Sequence, residues 1–278
     1  MPRAAQSPPA GFVCVERGPV VLVADTAFAT PLERLGLLEP GALSRALAGA
    51  RGPSGRGRLA VLPLEGCNER LCLRPLHRGG WLGPWLPAAL GSLERPLAEL
   101  AATLQLRAAG APVPRPLCVL GEKRKDRGFD SAVGSVFEEG SVDALQFLES
   151  GPPRGRLLQA AAAAGAAVRR FHDAGGCHAD LHLKNLLLRE SEGGFDVLVI
   201  DLDRARVVAR VSPRSRLAEL MRLYRSLHKR RLLAHVGPRG CARFFAAYVD
   251  GDRTLRRALR KGLAWERLLL AFHTLAYR

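Results

Sequence analysis

The chain has 278 residues, of which 47% are hydrophobic, and a formal net charge of +16. This composition supports a sizeable core and excludes a chain that is disordered throughout. No apolar run approaches the roughly eighteen residues of a membrane span, and residues 1–10 lack the basic-then-apolar order of a secretory signal. The sequence therefore predicts a cytoplasmic protein with one large domain or two fused lobes.

The positive charge is concentrated in the C-terminal part. Residues 204–278 hold nineteen lysines and arginines against four acids, which accounts for +15 of the total +16. Such a basic surface attracts phosphorylated partners such as nucleic acid, anionic lipid or a phosphorylated sugar. Arginine outnumbers lysine 37 to five, so a genome biased toward arginine codons is the alternative explanation. Aromatic residues do not alternate with these cations, and no specific nucleic-acid partner is predicted.

The first half of the chain is predicted to be mostly strands. In chain order we expect a flexible tail (1–10), a hairpin (12–15 and 20–24), a helical or turn segment (43–50), a basic glycine-rich loop (51–58), two strands (59–64 and 70–74), a helix (93–109), an extended proline-rich connector (111–116) and a strand (133–137). The helix begins after Ser92 and ends at Gly110, and the prolines that follow exclude its continuation.

The second half is predicted to be mostly helical. We expect helices over 141–148 and 157–173, short strands at 186–188 and 197–200, and helices from Ser215 onward, where apolar residues recur every three or four positions. His172 is expected to cap the end of its helix. Strands with one helix, a linker and then helices around a hairpin describe two lobes, not a doubly wound sheet. No Walker A motif is present, so P-loop chemistry is not predicted.

The segment H-A-D-L-H-L-K-N at 178–185, followed by Asp201 at the end of an apolar strand, carries the chemistry. Phosphoryl transfer from ATP to a hydroxyl needs a carboxylate that orients or accepts the hydroxyl proton, and two oxygen ligands for Mg²⁺. Asp180 supplies the first, and Asn185 and Asp201 supply the other two. The order matches the catalytic loop and metal-binding aspartate of protein kinases. Lys184 is a further candidate, because a cation near the γ-phosphate stabilises the transition state.

The N-terminal half contains matching candidates for nucleotide binding. Gly55, Arg56 and Gly57 can form a turn that covers phosphates, since backbone N–H groups approach oxygen closely there. Arg74 ends an apolar strand, in the place of the strand lysine of kinases. Glu99, on the helix 93–109, is its expected partner, with Glu94 as the alternative if the register differs.

With these pieces placed, the chain resembles the lipopolysaccharide kinase family, and within it the 3-deoxy-D-manno-octulosonic acid (Kdo) kinase branch. The resembling stretches keep the family order over about residues 55–205: G-R-G at 55–57, L-R-x-x-x-R-G-G at 73–80, P-V-P-R-P at 112–116, F-H-D-A-G at 171–175, H-A-D-L-H-L-K-N-L-L at 178–187 and I-D-L-D-R-A at 200–205.

This resemblance implies an α+β, protein-kinase-like fold with a small β-rich lobe over 11–137, a hinge near 133–140 and a helical lobe over 138–278. It implies transfer of the γ-phosphate of ATP, with Mg²⁺, to the 4-hydroxyl of a Kdo sugar on a lipid A precursor. This reaction would occur at the cytoplasmic face of the inner membrane of a Gram-negative bacterium, with the basic C-terminal helices against the anionic surface. Arg78, Gly79 and Gly80 lie where the acceptor would be contacted, and no protein partner is predicted.

Several positions depart from the protein-kinase pattern. Ala179 replaces the usual arginine, Asp203 replaces the glycine after the metal-binding aspartate, and no A-P-E segment follows, so no extended activation segment and no protein substrate are expected. Pro75, Leu76 and His77 differ from the residues common in the family. The alternatives are a heptose or other small-molecule kinase of the same superfamily, and a kinase-like scaffold or nucleic-acid-binding protein without catalysis.

Overall fold

A computed structural model describes residues 8–48, 59–76, 92–125 and 128–263 of the chain. The chain forms two compact units. The first contains Met1–Leu104 and Pro114–Phe137, and the second contains Gln105–Val113 and Glu138–Arg278. Each unit has its own secondary structure and core.

The first unit is built on a six-stranded antiparallel sheet with the order β1-β2-β5-β6-β4-β3. Gly18 has a φ of 58° in the turn between the first two strands, which confirms the predicted hairpin. The strands are β1 (Phe12–Arg17), β2 (Val20–Asp25), β3 (Ala60–Pro63), β4 (Arg70–Leu76), β5 (Pro116–Lys123) and β6 (Phe129–Val136).

Helices pack on both faces of this sheet. On one face are α1 (Ala29–Arg34) and α2 (Ala42–Ala48), and on the other is α3 (Glu94–Ala108). Successive side chains of a strand point to opposite faces. Leu22 accordingly packs in a cluster with Leu32 of α1, while its neighbour Val23 packs in a second cluster with Leu100 of α3. The sheet therefore has two buried faces, and α3 is fixed by one of them.

The second unit is centred on the alanine-rich helix α5. Its buried residues, among them Ala164, Val168 and Phe171, form a core with Tyr248. Helix α7 approaches α5 closely where α5 carries Gly165. The elements are β7 (Ser141–Asp143), α4 (Ala144–Glu149), α5 (Arg154–Asp173), β8 (Gly176–Cys177), a 3-10 turn (Leu183–Asn185), β9 (Leu186–Ser191), β10 (Gly194–Val199), β11 (Arg206–Val207), α6 (Pro213–Lys229), α7 (Leu233–Val249) and α8 (253–263).

The α+β fold class is confirmed, and one local prediction is corrected. The helix expected from Ser141 begins at Ala144, because the Asp143 side chain accepts a hydrogen bond from the Gln146 N–H (2.9 Å) and caps the helix there. Residues 141–143 instead form strand β7, which pairs with β9. Strand β5 and the short helix α1 were not predicted. Among the described residues, no helix is both long enough and apolar enough to cross a membrane.

Candidate active site

In the first unit, strand β4 and helix α3 bring Arg74 and Glu99 together. The Arg74 Nη2 atom donates to Glu99 Oε1 at 2.5 Å, and the Glu99 side chain is only 6% exposed. This is the pairing expected from the sequence, and it assigns the partner to Glu99 rather than Glu94. A buried carboxylate fixes the direction of the guanidinium group, which is planar and suited to phosphate.

Two other groups of candidates lie outside the described residues. These are the glycine-rich loop with Gly55, Arg56 and Gly57, and the Arg78, Gly79 and Gly80 segment. Their roles stay predictions from the sequence.

In the second unit, the loop 178–185 connects β8 to β9 and ends in the 3-10 turn, where Asn185 bonds back to the start of the loop. The Asn185 Nδ2 group donates to the backbone oxygen of Asp180 at 3.0 Å, and the side-chain oxygen of the same amide is the atom that could bind a cation. Asn185 is buried, whereas the Asp180 side chain is 69% exposed. The loop therefore presents a carboxylate to solvent next to a fixed amide.

The same loop holds the segment that carries Asp201. The His178 Nε2–H donates to the Ile200 carbonyl at 2.9 Å, and the Ile200 N–H donates to the Asn185 carbonyl at 3.0 Å. His178 Nδ1 in turn accepts from the Asp180 N–H at 3.4 Å, which one neutral tautomer of the ring satisfies. Asp180, Asn185 and Asp201 are thus joined through Ile200, the residue that directly precedes Asp201.

Two residues of this region have left-handed backbone conformations that non-glycine residues rarely adopt. Ala179 and Asp201 both have a φ of 65°. Such conformations cost free energy and persist only where the surrounding contacts impose them, which is typical of functional sites. Here the contacts are those made by the neighbouring residues His178 and Ile200.

Sequence reasoning missed Glu219, the residue of α6 that anchors this loop. Glu219 Oε1 accepts from the Ala179 N–H at 3.1 Å, and its Oε2 accepts from His172 Nε2 at 3.1 Å. The other ring nitrogen of His172 lies 2.7 Å from the Tyr248 hydroxyl. His172 therefore does not act as the expected helix cap through its side chain; its ring is fully buried between Glu219 and Tyr248.

The pKa directions in this cluster are mutually consistent. Burial lowers the pKa of His172 despite the opposing effect of Glu219, so the ring is neutral and donates from Nε2. Burial raises the pKa of Tyr248 to about 12, so its hydroxyl keeps its proton and can donate to Nδ1 of His172. Burial alone would raise the pKa of Glu219, but bonds from His172 and from the N–H groups of Ala179 and His178 outweigh it and lower that pKa. The anchor is an ionised carboxylate that accepts from neutral donors.

A signal for Glu219 was present in the sequence. It is the single acidic residue between positions 204 and 249, and it lies among apolar residues of an otherwise basic helix. Its partner on the loop 178–185 is a backbone N–H, which no side-chain motif reveals.

Two further polar residues lie on the loop. His182 Nε2 is 3.8 Å from Asp180 Oδ2, within ion-pair distance when the ring is protonated. Lys184 lies in the 3-10 turn directly before Asn185 and is partly buried.

The donors that could hold Mg²⁺ are one amide and one carboxylate, Asn185 and Asp201. No group of three or more His, Cys, Asp and Glu side chains within the described ranges could hold a metal ion. Mg²⁺ in phosphoryl-transfer sites is held by one or two carboxylates together with substrate phosphates and water. The residues present fit that cation when a nucleotide supplies the remaining ligands.

A family model for lipopolysaccharide kinases (Kdo/WaaP) matches residues 67–248. This match covers most of the chain and includes the whole loop 178–185 and Asp201. The chain belongs to this family. The predicted resemblance is thereby confirmed, and the family assignment indicates a kinase of lipopolysaccharide biosynthesis.

Curated relatives in this family are Kdo kinases. The 3-deoxy-D-manno-octulosonic acid kinase of Mannheimia succiniciproducens is 29% identical over 165 residues, which cover 58% of this chain and 67% of the relative. The enzyme of the same name from Actinobacillus succinogenes is 29% identical over 150 residues, which cover 52% and 60% respectively. The chain thus spans about two thirds of the length of the curated relatives it matches.

Among solved structures, WaaP in complex with acyl carrier protein is similar to this chain. The TM-score is 0.57 at 24% identity, and the match covers 88% of this chain and 96% of WaaP. At this identity the likeness concerns the fold, and it confirms the predicted kinase-like fold.

The segment that follows Asp201 is short. The second unit connects Asp201 to α6 through residues 202–212, in which the two-residue strand β11 is the only helix or strand.

Proposed function

We propose that this lipopolysaccharide kinase transfers the γ-phosphate of ATP to the 4-hydroxyl of a Kdo sugar on a lipid A precursor. The observation that carries the proposal is the pair of hydrogen bonds at the Ile200 backbone, one from the His178 ring and one to the Asn185 carbonyl, which ties the loop bearing Asp180 and Asn185 to Asp201. In this proposal, the two segments joined in this way carry a proton acceptor, Asp180, and two metal ligands, Asn185 and Asp201. The 29% identical relatives support Kdo as the acceptor sugar.

Each candidate residue has a specific task in this reaction. Asp180, exposed beside the fixed loop, orients the acceptor hydroxyl and takes its proton as the oxygen attacks phosphorus. Asn185 and Asp201 would hold Mg²⁺, which neutralises charge on the ATP phosphates. Lys184 would stabilise negative charge on the transferring group. The bond from the acceptor oxygen to phosphorus forms as the bond to the ADP oxygen breaks.

The first unit contributes nucleotide binding in this proposal. Arg74, directed by Glu99, binds phosphate oxygens of ATP, and the loop at Gly55, Arg56 and Gly57 covers them. An arginine stays charged at every physiological pH and can bind two oxygens at once, so it can take the place of the usual lysine. The segment Arg78-Gly79-Gly80 would contact the acceptor sugar.

Location follows from the acceptor. A Kdo sugar on a lipid A precursor is anchored in the inner membrane, so the enzyme would act as a peripheral protein on the cytoplasmic face. The C-terminal helices carry the cations that an anionic membrane surface attracts.

The acceptor is tested by incubating the protein with ATP and Mg²⁺ and either Kdo–lipid A or a heptosylated acceptor, and locating the new phosphate by mass spectrometry. Phosphate on the Kdo sugar is the expected result. Phosphate on heptose alone would overturn the Kdo assignment and favour a heptose kinase of the same superfamily. Absence of any ATP–Mg²⁺ binding would overturn catalysis itself and favour a kinase-like scaffold.

A further inference from the structure

Within the described residues, the basic surface between positions 204 and 263 has few acidic partners. Of the seventeen lysines and arginines between positions 204 and 263, fifteen are exposed. None of these fifteen forms an ion pair with another described residue. Like charges that accumulate without partners repel one another and destabilise the folded unit unless an anionic partner is present.

Helix α6 carries several of these exposed cations, and three of them are aligned along one side of the helix. Arg214, Arg225 and Lys229 are exposed and lie on one side of the helix, within about 60° of each other at 100° per residue. We call these three residues the cationic stripe. On other sides of α6, Leu217 and Leu223 are buried in the core of the unit.

The same helix contacts the catalytic loop at two points. Glu219 accepts from the Ala179 N–H at 3.1 Å, and Ser226 Oγ accepts from the Leu183 N–H at 3.4 Å. Glu219 and Ser226 lie together on the helix, about 100° around its axis from the cationic stripe. A surface that contacts the stripe would therefore lie next to the side of α6 that holds the loop.

We propose that the cationic stripe of α6 docks on the anionic lipid surface and that α6 thereby fixes the catalytic loop at a set orientation to the membrane. This inference rests on the proposed function, because a lipid-anchored acceptor is what makes that orientation useful. One rigid helix, about 10–12 Å across, joins the lipid contact to the loop. The acceptor sugar, which projects from the membrane, is then presented to Asp180 without a further search.

The character of the surface indicates electrostatic attachment rather than insertion. Among the described residues, the only exposed large hydrophobic side chains are Val208 and Tyr224. Binding that depends on cations alone is screened by salt and requires anionic headgroups. A nucleic acid is less suited to this surface, because aromatic side chains for base stacking are few.

The test measures cosedimentation of the full-length protein with vesicles of phosphatidylglycerol and phosphatidylethanolamine. The variant Arg214→Gln, Arg225→Gln, Lys229→Gln removes the stripe. The control variant Arg17→Gln, Lys123→Gln, Lys125→Gln removes the same charge from exposed positions of the first unit. The stripe variant is expected to bind about 100-fold more weakly than wild type, at about fivefold per cation, while the control binds like wild type.

Two results would overturn the inference. Equal binding by the stripe variant and wild type would remove α6 from the contact, and equal losses in both variants would assign binding to net charge alone. Phosphatidylcholine vesicles that capture wild type as well as anionic ones would contradict the electrostatic mechanism. Vesicle binding is measured without ATP or acceptor. A protein that transfers no phosphate would contradict the proposed function, but the comparison of the stripe and control variants would still test the lipid contact of α6.

A rate measurement links docking to orientation. Phosphorylation of acceptor embedded in anionic vesicles is expected to fall further in the stripe variant than phosphorylation of the same acceptor dispersed in detergent. Equal losses in both assays would mean that the stripe does not orient the loop at the membrane.

Discussion

Glu219 is the residue that links the helical core to the loop 178–185. It is 4% exposed, and its carboxylate connects His172 to the backbone directly before Asp180. Bonds to a charged, buried acceptor are stronger than neutral ones, and their loss leaves buried donors unsatisfied. We therefore expect Glu219 to be a positioning residue that acts on Asp180 through the Ala179 N–H.

The variant Glu219→Gln tests this role. The amide keeps the shape of the side chain but loses the charge, and it places an NH₂ group against donors. We expect unfolding to become easier by about 1–3 kcal/mol and the single-turnover rate to fall while the KM for ATP is retained. The control is Glu192→Gln, an exposed residue in the turn between β9 and β10. An unchanged rate together with lowered stability would reduce Glu219 to a purely structural role.

The buried His172 ring makes stability depend on pH in a defined direction. Its pKa lies below the ordinary value of 6.5, chiefly through burial. The unfolded chain therefore binds a proton near pH 6.5 that the folded protein does not, so the free energy of unfolding falls as the pH drops below 6.5. The pKa of Glu219, lowered from 4.5, adds a further loss below that pH.

Urea denaturation of wild type and His172→Gln between about pH 7.5 and pH 5 measures this effect. The wild type should lose stability faster than the variant as the solution is acidified. The difference between the two slopes isolates His172 from the other histidines. A variant with the same slope as the wild type would mean that the ring is protonated in the folded state.

Among single residues, the sequence predicted those whose order and spacing follow a kinase-like motif. It missed those that only the packing of distant helices brings to the loop. Asp180 and Asn185 belong to one loop, and Glu99 is the acid of α3 that reaches Arg74. Glu219 and Tyr248 lie 39 and 68 positions beyond Asp180 in the numbering. Their roles depend on helix packing, which periodicity alone does not specify.

Among the elements, the close contact between α5 and α7 depends on a glycine, Gly165, which has no side chain. A Cβ atom built on Gly165 would lie 2.2 Å from the carbonyl oxygen of Phe244, which is backbone and cannot rotate away. The two helices can approach this closely only because α5 has glycine there. Tyr248, one turn further along α7, is thereby held against His172.

The variant Gly165→Ala should force the helices apart and destabilise the second unit by about 1–3 kcal/mol. Gly155→Ala, in the same helix with open space around its Cβ position, should instead be neutral or stabilising by up to about 1 kcal/mol. Chemical denaturation of both variants decides the point. Destabilisation of equal size in the two would contradict packing as the cause.

The elements that sequence reasoning missed are those whose signals are weak or ambiguous. Strand β5 follows directly on the prolines at 112–116 and contains Gly121, so its apolar run lacks clear boundaries. Helix α1 has only six residues, too short for a periodic pattern. The start of α4 was misplaced because Ser141 and Asp143 are both good capping residues, and only the hydrogen bond to Gln146 distinguishes them.

In the whole molecule, charge and chemistry are distributed unequally. The strongly basic C-terminal part includes α6, which reaches the catalytic loop, whereas residues 1–203 are almost neutral at +1. A basic surface alone is compatible with many anionic partners. The family match and the loop geometry, rather than net charge, are what make a lipid-linked sugar the proposed acceptor.

The most direct test of the central claim is single-turnover transfer of labelled γ-phosphate from ATP–Mg²⁺ to Kdo–lipid A by wild type, Asp180→Asn and Asp196→Asn. Asp196 is an exposed aspartate of β10 that pairs with Arg189 at 3.0 Å, so it controls for the loss of one surface charge. We predict transfer by wild type and Asp196→Asn, and a rate about 10²–10⁴-fold lower in Asp180→Asn, the range that general base catalysis contributes. Equal rates in all three proteins would contradict the assignment of Asp180 as the base.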